Sequence, residues 1–210
     1  MKNINKKQKG FTLPEVIVSI AIIVIVIVTT TNLLVSSIRA NNSNVNKIIA
    51  YNLAQEAIEG FRNIRDGLWM HNQYWRGSDK NLFGVSFEND GNYIITKGDS
   101  LQTTDTCSNE PSEVRNAAPW KLLNYTEDAS RLYLTETTQG IIKYIHAQTD
   151  TPSKYRRWLE VNTIPYDLTS EENQDKLKLS VTAVVEWEEG SSVKEFRLPA
   201  VLTDWKAGPL

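Results

Sequence analysis

Few side chains in this sequence stand where they could do chemistry, and the first of them is an acid. Glu15 lies inside an apolar run: from Val16 to Val28 only Ser19 is polar, and extending back to Phe11 gives 18 residues interrupted by Thr12, Pro14 and Glu15. An ionised carboxylate inside hydrocarbon costs roughly 2.5–3.5 kcal/mol. Such a group needs a partner of opposite charge. Elsewhere the chemistry-bearing residues are scattered. His71 and His146 are 75 positions apart, with no metal-ligand spacing near either. Cys107 is alone, which excludes an intramolecular disulfide and a multi-cysteine metal site. Asp90, Asp99 and Asp105 match no calcium-loop pattern. No glycine-rich phosphate loop, nucleophile elbow or Cys/His pair is present. The expectation is a protein without catalytic residues, bound metal or cofactor.

Charge is distributed unevenly. The chain of 210 residues has 23 basic and 25 acidic side chains. Lys2, Lys6, Lys7 and Lys9 lie within the first ten positions with no acid, leaving 19 basic against 25 acidic from Phe11 onward, a net of −6. A nucleic-acid footprint would need its basic residues clustered on a folded surface. Lysines next to an apolar run read instead as the cytoplasmic flank of a membrane segment.

Two ordinary membrane readings fit the N-terminus, a signal peptide removed whole and a plain signal anchor. The first fits poorly, because the apolar run closes on Val26-Ile27-Val28-Thr29, β-branched throughout, with no small-x-small cleavage site. Gly10-Phe11-Thr12-Leu13-Pro14-Glu15-Val16-Ile17-Val18-Ser19-Ile20 resembles the type IV prepilin motif. It has a basic leader, a glycine, a phenylalanine, a glutamate as the fifth residue after the glycine, then the apolar run. The resemblance implies that a prepilin peptidase cuts between Gly10 and Phe11 and that Phe11 becomes an N-methylated first residue. The helix is then retained, and Glu15 pairs with the N-terminal amine of a neighbouring pilin subunit during assembly. A second stretch, Leu53-Ala54-Gln55-Glu56-Ala57-Ile58-Glu59-Gly60-Phe61-Arg62-Asn63-Ile64-Arg65-Asp66 with Leu68-Trp69, is similar to the segment after the membrane helix in minor pilins of the PilV-like kind.

The helix that carries Glu15 must continue well past the membrane. Leu34, Ile38, Val45, Ile49, Leu53, Ala57, Phe61, Ile64 and Leu68 recur at helical steps, opposite Asn42, Asn46, Gln55, Glu59 and Arg62. The spacing predicts a helix to about Arg65, with Gly67 as a stop, and a length of roughly 80 Å at 1.5 Å per residue. Ala40-Asn41-Asn42-Ser43-Asn44 is its weak point, since asparagine is a poor helix former. Glu56, Glu59, Arg62 and Arg65 are spaced for i,i+3 pairs on the helix surface.

Beyond Trp69 the pattern becomes short runs broken by turns. Asn89-Asp90-Gly91-Asn92 is a turn before Tyr93-Ile94-Ile95, and 97–119 reads as a long polar loop. Candidate strands are Arg131–Thr135, Ile141–His146 and Arg156–Thr163. From Leu177 to Trp187 every odd position is apolar and every even one polar except Val184, which describes a half-buried strand. Glu188–Ser192 is its turn, and Phe196, Leu198, Ala200 and Leu202 make one face of the return strand, where Pro199 argues for an edge or a bulge. The aromatics Trp69, Tyr74 and Trp75 read as core or as an interface with lipid or another pilin.

The expected fold class is α+β, with an antiparallel sheet packed on the C-terminal half of one long helix. The expected organisation is a leader over 1–10, a transmembrane and assembly segment over 11–30, a soluble helix half over 31–66, and a β-rich head over 67–210. The resemblance implies a minor type IV pilin or pseudopilin, a non-enzymatic subunit of a pilus-like filament or its initiating tip complex. Its partners would be other pilins, prepilin peptidase, the pilus assembly platform and, before assembly, membrane lipid, with no nucleic-acid site. Its place would be the cytoplasmic membrane, single-pass with the head outside, then the filament. The rival expectation is a signal-anchored extracytoplasmic binding protein that never assembles.

Overall fold

The computed structural model describes residues 10–70, 87, 89–97, 120–136, 140–149, 151–164 and 178–203. Lys2, Lys6, Lys7, Lys9, His71, Tyr74, Trp75, Asp99, Cys107 and the body of the expected loop over 97–119 lie outside the described residues. The chain divides into two compact units, Met1–Asn46 and Lys47–Leu210.

Helix α1 runs from Leu13 to Met70. It passes unbroken through Asn41, Asn42 and Asn44, so the low propensity of asparagine does not melt a turn there. It also passes Gly67, correcting the expected stop near Arg65. Leu68 and Trp69 beyond that glycine are buried, and their packing outweighs the roughly 1 kcal/mol that a helical glycine costs.

In the second unit α1 buries Ala50, Leu53, Ala54, Ala57, Ile58, Gly60, Phe61, Ile64, Leu68 and Trp69. These join one core with residues of the sheet and with Phe87, whose ring centroid lies 4.8 Å from that of Phe61. The expected stripe therefore covers the sheet from Ile49 onward. Leu34, Ile38 and Val45, which continue the same periodicity toward the N-terminus, stay exposed.

Among the described residues the sheet has seven strands: β1 (Gly91–Lys97), β2 (Trp120–Asn124), β3 (Arg131–Glu136), β4 (Ile142–Ile145), β5 (Pro152–Ile164), β6 (Lys178–Glu189) and β7 (Ser192–Thr203). A single turn of helix, α2 (Glu127–Ser130), precedes β3 and is capped by the Thr126 hydroxyl, which accepts from Ala129 N at 3.2 Å. All recorded pairings are antiparallel. The organising strand is β5. One edge pairs with β6 along its length, from Tyr155↔Trp187 to Ile164↔Lys178. The other edge is divided: its C-terminal half pairs with β1, which carries β2, and its N-terminal half with β3, which carries β4.

The hairpin β6–β7 follows the alternation in the sequence. Leu179, Val181, Ala183, Val185 and Trp187 are buried beneath the helix, and Leu202 joins them from β7. The turn closes to two residues, Gly190-Ser191, with Gly190 at φ +64°, a conformation an L side chain resists. Val184, the exception to the alternation, is also buried, although on the opposite face; its cross-strand neighbour there is Trp158, which meets Tyr125 edge to face. Among the described residues β7 pairs only with β6, which makes it the edge that Pro199 implied.

Helix and sheet approach closely at Gly60. A Cβ there would come within 2.8 Å of the Trp120 ring and 2.9 Å of Ile95. Gly60→Ala is therefore expected to destabilise the fold by about 1–2 kcal/mol net, overpacking outweighing the gain in helix propensity. Thermal melting of the full chain in detergent checks this; a melting temperature equal to or above that of the parent contradicts it.

Candidate functional site

The segment with unexplained chemistry begins at the start of α1. Gly10 and Phe11 precede the helix in non-helical backbone, both exposed, Phe11 at 83%. The first helical hydrogen bond runs from Val16 N to Thr12 O at 3.2 Å. Pro14 falls in the first turn, where an amide would have no intrahelical acceptor, so its missing donor costs nothing. Glu15 falls in the same turn. Attraction to the helix N-terminus is worth roughly 0.3–1 kcal/mol to its carboxylate. That is several-fold less than the desolvation of an ionised carboxylate in hydrocarbon, so the helix alone does not account for it.

From Val16 to Val28 every large apolar side chain is 45–63% exposed. An 18-residue window of α1 has a mean hydropathy of 2.6 and none of it is buried. The polar groups within it are satisfied by the helix itself. Ser19 Oγ donates to Glu15 O at 2.8 Å, Thr29 to Ile25 O and Val26 O at 3.0 Å, Thr30 to Val26 O at 2.7 Å, and Thr31 to Ile27 O at 2.8 Å. The segment thus offers hydrocarbon on its outside, with one carboxylate at its base.

A family model described as the prokaryotic N-terminal methylation motif matches residues 5–31. That span contains Gly10, Phe11, Glu15 and the apolar helix to Thr31. The match supports a processed chain of the type IV pilin or pseudopilin kind, and with the uncovered apolar helix it is consistent with anchoring in a membrane. Comparison with curated proteins and with solved structures returns no match.

Among the described residues of the second unit, Arg157 is buried and His146 half-buried, and both make contacts that no local spacing announces. Arg157 is 2% exposed. Its Nη1 donates to Leu53 O at 3.1 Å and to Glu56 Oε2 at 2.8 Å, and its Nη2 to Ile95 O at 3.3 Å. Burial holds its pKa below the usual guanidinium range, and Glu56 opposes that shift. Of the four helix charges expected to pair along α1, only Glu59 and Arg62 do so at i,i+3. Glu56 turns to the sheet, and Arg65 pairs with Asp66 while lying 4.6 Å from the Trp69 ring centre. The available signal was the period of β5, which puts Arg157 on the same face as Leu159 and Val161.

His146 follows β4, with Nδ1 2.8 Å from Ala129 O, a contact that fits a neutral ring donating from Nδ1. Burial first, and then the Arg157 charge, push its pKa down to about 3. The folded state therefore resists protonation that the unfolded chain accepts near pH 6.5. Stability is complete above that value and falls as the pH drops from about 6.5 toward 3, by at most about 1.4 kcal/mol per pH unit. His146→Gln is expected to flatten this dependence, as read by urea midpoints between pH 7 and 4. An equally steep profile in the variant assigns the effect elsewhere. Asp90 is structurally engaged, since Thr163 donates to its Oδ1 from N at 2.7 Å and from Oγ1 at 2.6 Å. Among the described residues no three metal-ligating side chains converge.

Proposed function

We propose that this chain is a minor type IV pilin or pseudopilin, a structural rather than catalytic subunit of a pilus-like filament or of its initiating tip complex. The observation that carries this reading is the position of Glu15, five residues after Gly10, at the base of an exposed apolar helix within the methylation motif. In this reading prepilin peptidase cuts between Gly10 and Phe11, and Phe11 receives the N-methyl group. The helix then anchors the chain in the cytoplasmic membrane with its head outside. An assembly platform later transfers that helix from lipid to a bundle of pilin helices. There Glu15 meets the N-terminal amine of a neighbour. Each charge is costly alone in an apolar bundle, so only the stagger that pairs them is stable. The length and irregularity of the head favour a minor subunit.

Intact-mass and peptide mass spectrometry of the membrane-extracted protein tests the processing step. The expected N-terminus is Phe11 carrying one methyl group, about 14 Da heavier than the unmodified residue. Recovery of an uncut chain, or of an N-terminus elsewhere, in cells with active prepilin peptidase removes the proposal.

A further inference from the structure

We propose that, before assembly, the bilayer span of this chain is bounded by its own charges. It runs from Val16 to Ile38, with Glu15 at the inner boundary and the Arg39 guanidinium among outer-leaflet lipid phosphates. This rests on the membrane-anchored reading above and places its outer boundary beyond Thr30.

The strongly apolar run, Phe11 to Val28, is too short and wrongly placed. Its helical part, Leu13 to Val28, rises about 24 Å, against a hydrocarbon core of about 30 Å. Centring it in the bilayer would also immerse the Glu15 carboxylate and the Phe11 end. The chain has no ionisable side chain from Val16 to Ile38, and those 23 residues rise about 35 Å, enough to cross with some tilt.

Thr29, Thr30 and Thr31 are the apparent objection, since three hydroxyls in sequence look like an exit from the membrane. All three donate to carbonyls of the preceding turn, at 2.7–3.0 Å. Their donors enter lipid already satisfied.

Beyond them Asn32, Ser36 and Ser37 are polar but uncharged, and the other side chains to Ile38 are apolar. Leu33, Leu34, Val35 and Ile38 are 71%, 61%, 42% and 53% exposed. At 100° per residue, Leu33 to Val35 alone cover roughly 200° of the circumference. A partner helix would require only a narrow stripe, whereas side chains spread this widely fit surrounding hydrocarbon. The character changes at Arg39, after which Asn41, Asn42, Asn44 and Asn46 crowd the helix. A guanidinium on a long aliphatic stem at that boundary reaches the phosphate level while its stem stays in the apolar layer. Glu15 then sits at the opposite boundary, where the free subunit tolerates it. Its penalty arises only when the helix leaves lipid for a packed bundle.

Single-cysteine accessibility tests this on the full-length chain carrying Cys107→Ser. Thr30→Cys, Ser36→Cys and Ser43→Cys are each reconstituted at low density in vesicles of phosphatidylcholine and phosphatidylglycerol, seven to three. A membrane-impermeant maleimide is expected to label Ser43→Cys readily and the other two at least tenfold more slowly. Adding Arg39→Leu is expected to slow labelling at Ser43→Cys as the boundary moves outward. Equal labelling of Ser36→Cys and Ser43→Cys, in chains that resist alkaline extraction, overturns the proposed span while leaving the anchor intact. Protection at Ser36→Cys that vanishes on tenfold dilution in lipid means the shield is another copy of the helix, and also overturns it. An unchanged rate with Arg39→Leu overturns the assignment of Arg39. Loss of the chain to the alkaline wash removes the anchored reading itself.

Discussion

Glu15→Gln is expected to leave this chain in the membrane and remove it from filaments. The substitution keeps the size of the side chain and removes its charge, exchanging one acceptor oxygen for an amide donor. Insertion of the free subunit should improve slightly if it changes at all, because an amide is cheaper to immerse than a carboxylate. On the proposed pairing, assembly loses an interaction that distinguishes the correct stagger of apolar helices from its neighbours. An apolar helix surface of β-branched residues from Val16 to Val28 packs nearly as well one turn up or down. A buried ion pair does not, since a misplaced partner leaves two uncompensated charges, at a cost of several kcal/mol. The measurement is the ratio of this subunit in sheared filaments, or in complexes with co-purifying pilins, to that in the membrane fraction. A decrease of at least tenfold is expected, with processing at Gly10 unaffected. Glu15→Asp keeps the charge on a shorter stem and should retain part of the incorporation. Unaltered recovery of Glu15→Gln in filaments would contradict the pairing. If neither parent nor variant enters any assembly, the chain is better described as an anchored extracytoplasmic protein.

Arg157→Ala should be among the more damaging changes in the head. The guanidinium joins three elements at once, the helix through Leu53 and Glu56, β1 through Ile95, and β5 on which it stands. Removing one partner of a buried pair costs about 3–5 kcal/mol, chiefly through the charge left behind. The Glu56 side chain is 43% exposed and can recover water, so the expected loss is near the lower value, about 3 kcal/mol. For a chain of this size that corresponds to a fall of about 6–12 °C in melting temperature. Arg157→Met fills much of the same volume without a charge to bury, and it should lose far less, above all with Glu56→Gln. A melting temperature for Arg157→Ala within about 2 °C of the parent would mean that the clamp contributes little.

The parts of this protein that could be read in advance are those whose pattern is local. The Gly10-to-Glu15 motif, the helical spacing from Ile49 to Leu68 and the period of two from Leu179 to Trp187 each span a few turns or one strand. Each specifies its own face without reference to distant residues. The stop assigned to Gly67 failed because a propensity near 1 kcal/mol competes with the burial of Leu68 and Trp69, which contributes more. Strand β2 is not legible in the sequence because Trp120-Lys121-Leu122-Leu123-Asn124 is five residues after a long polar stretch, and only its register with β1 makes it a strand. Arg157 stood in a predicted strand, yet nothing near it in sequence announces that Glu56, 101 positions earlier, is its partner.

By itself the sequence determined the anchor and its chemistry: a basic flank, a glycine, an acid five residues on and an apolar helix, all within one covalent neighbourhood. It also determined that an amphipathic helix and an alternating hairpin must bury complementary faces. Tertiary structure alone decided how the head is joined: which strands share β5, why Gly60 must lack a side chain beneath Trp120, and which charges meet beneath the helix. Those outcomes depend on long-range approach between elements, where burial turns weak surface charges into strong constraints. No local period encodes that approach.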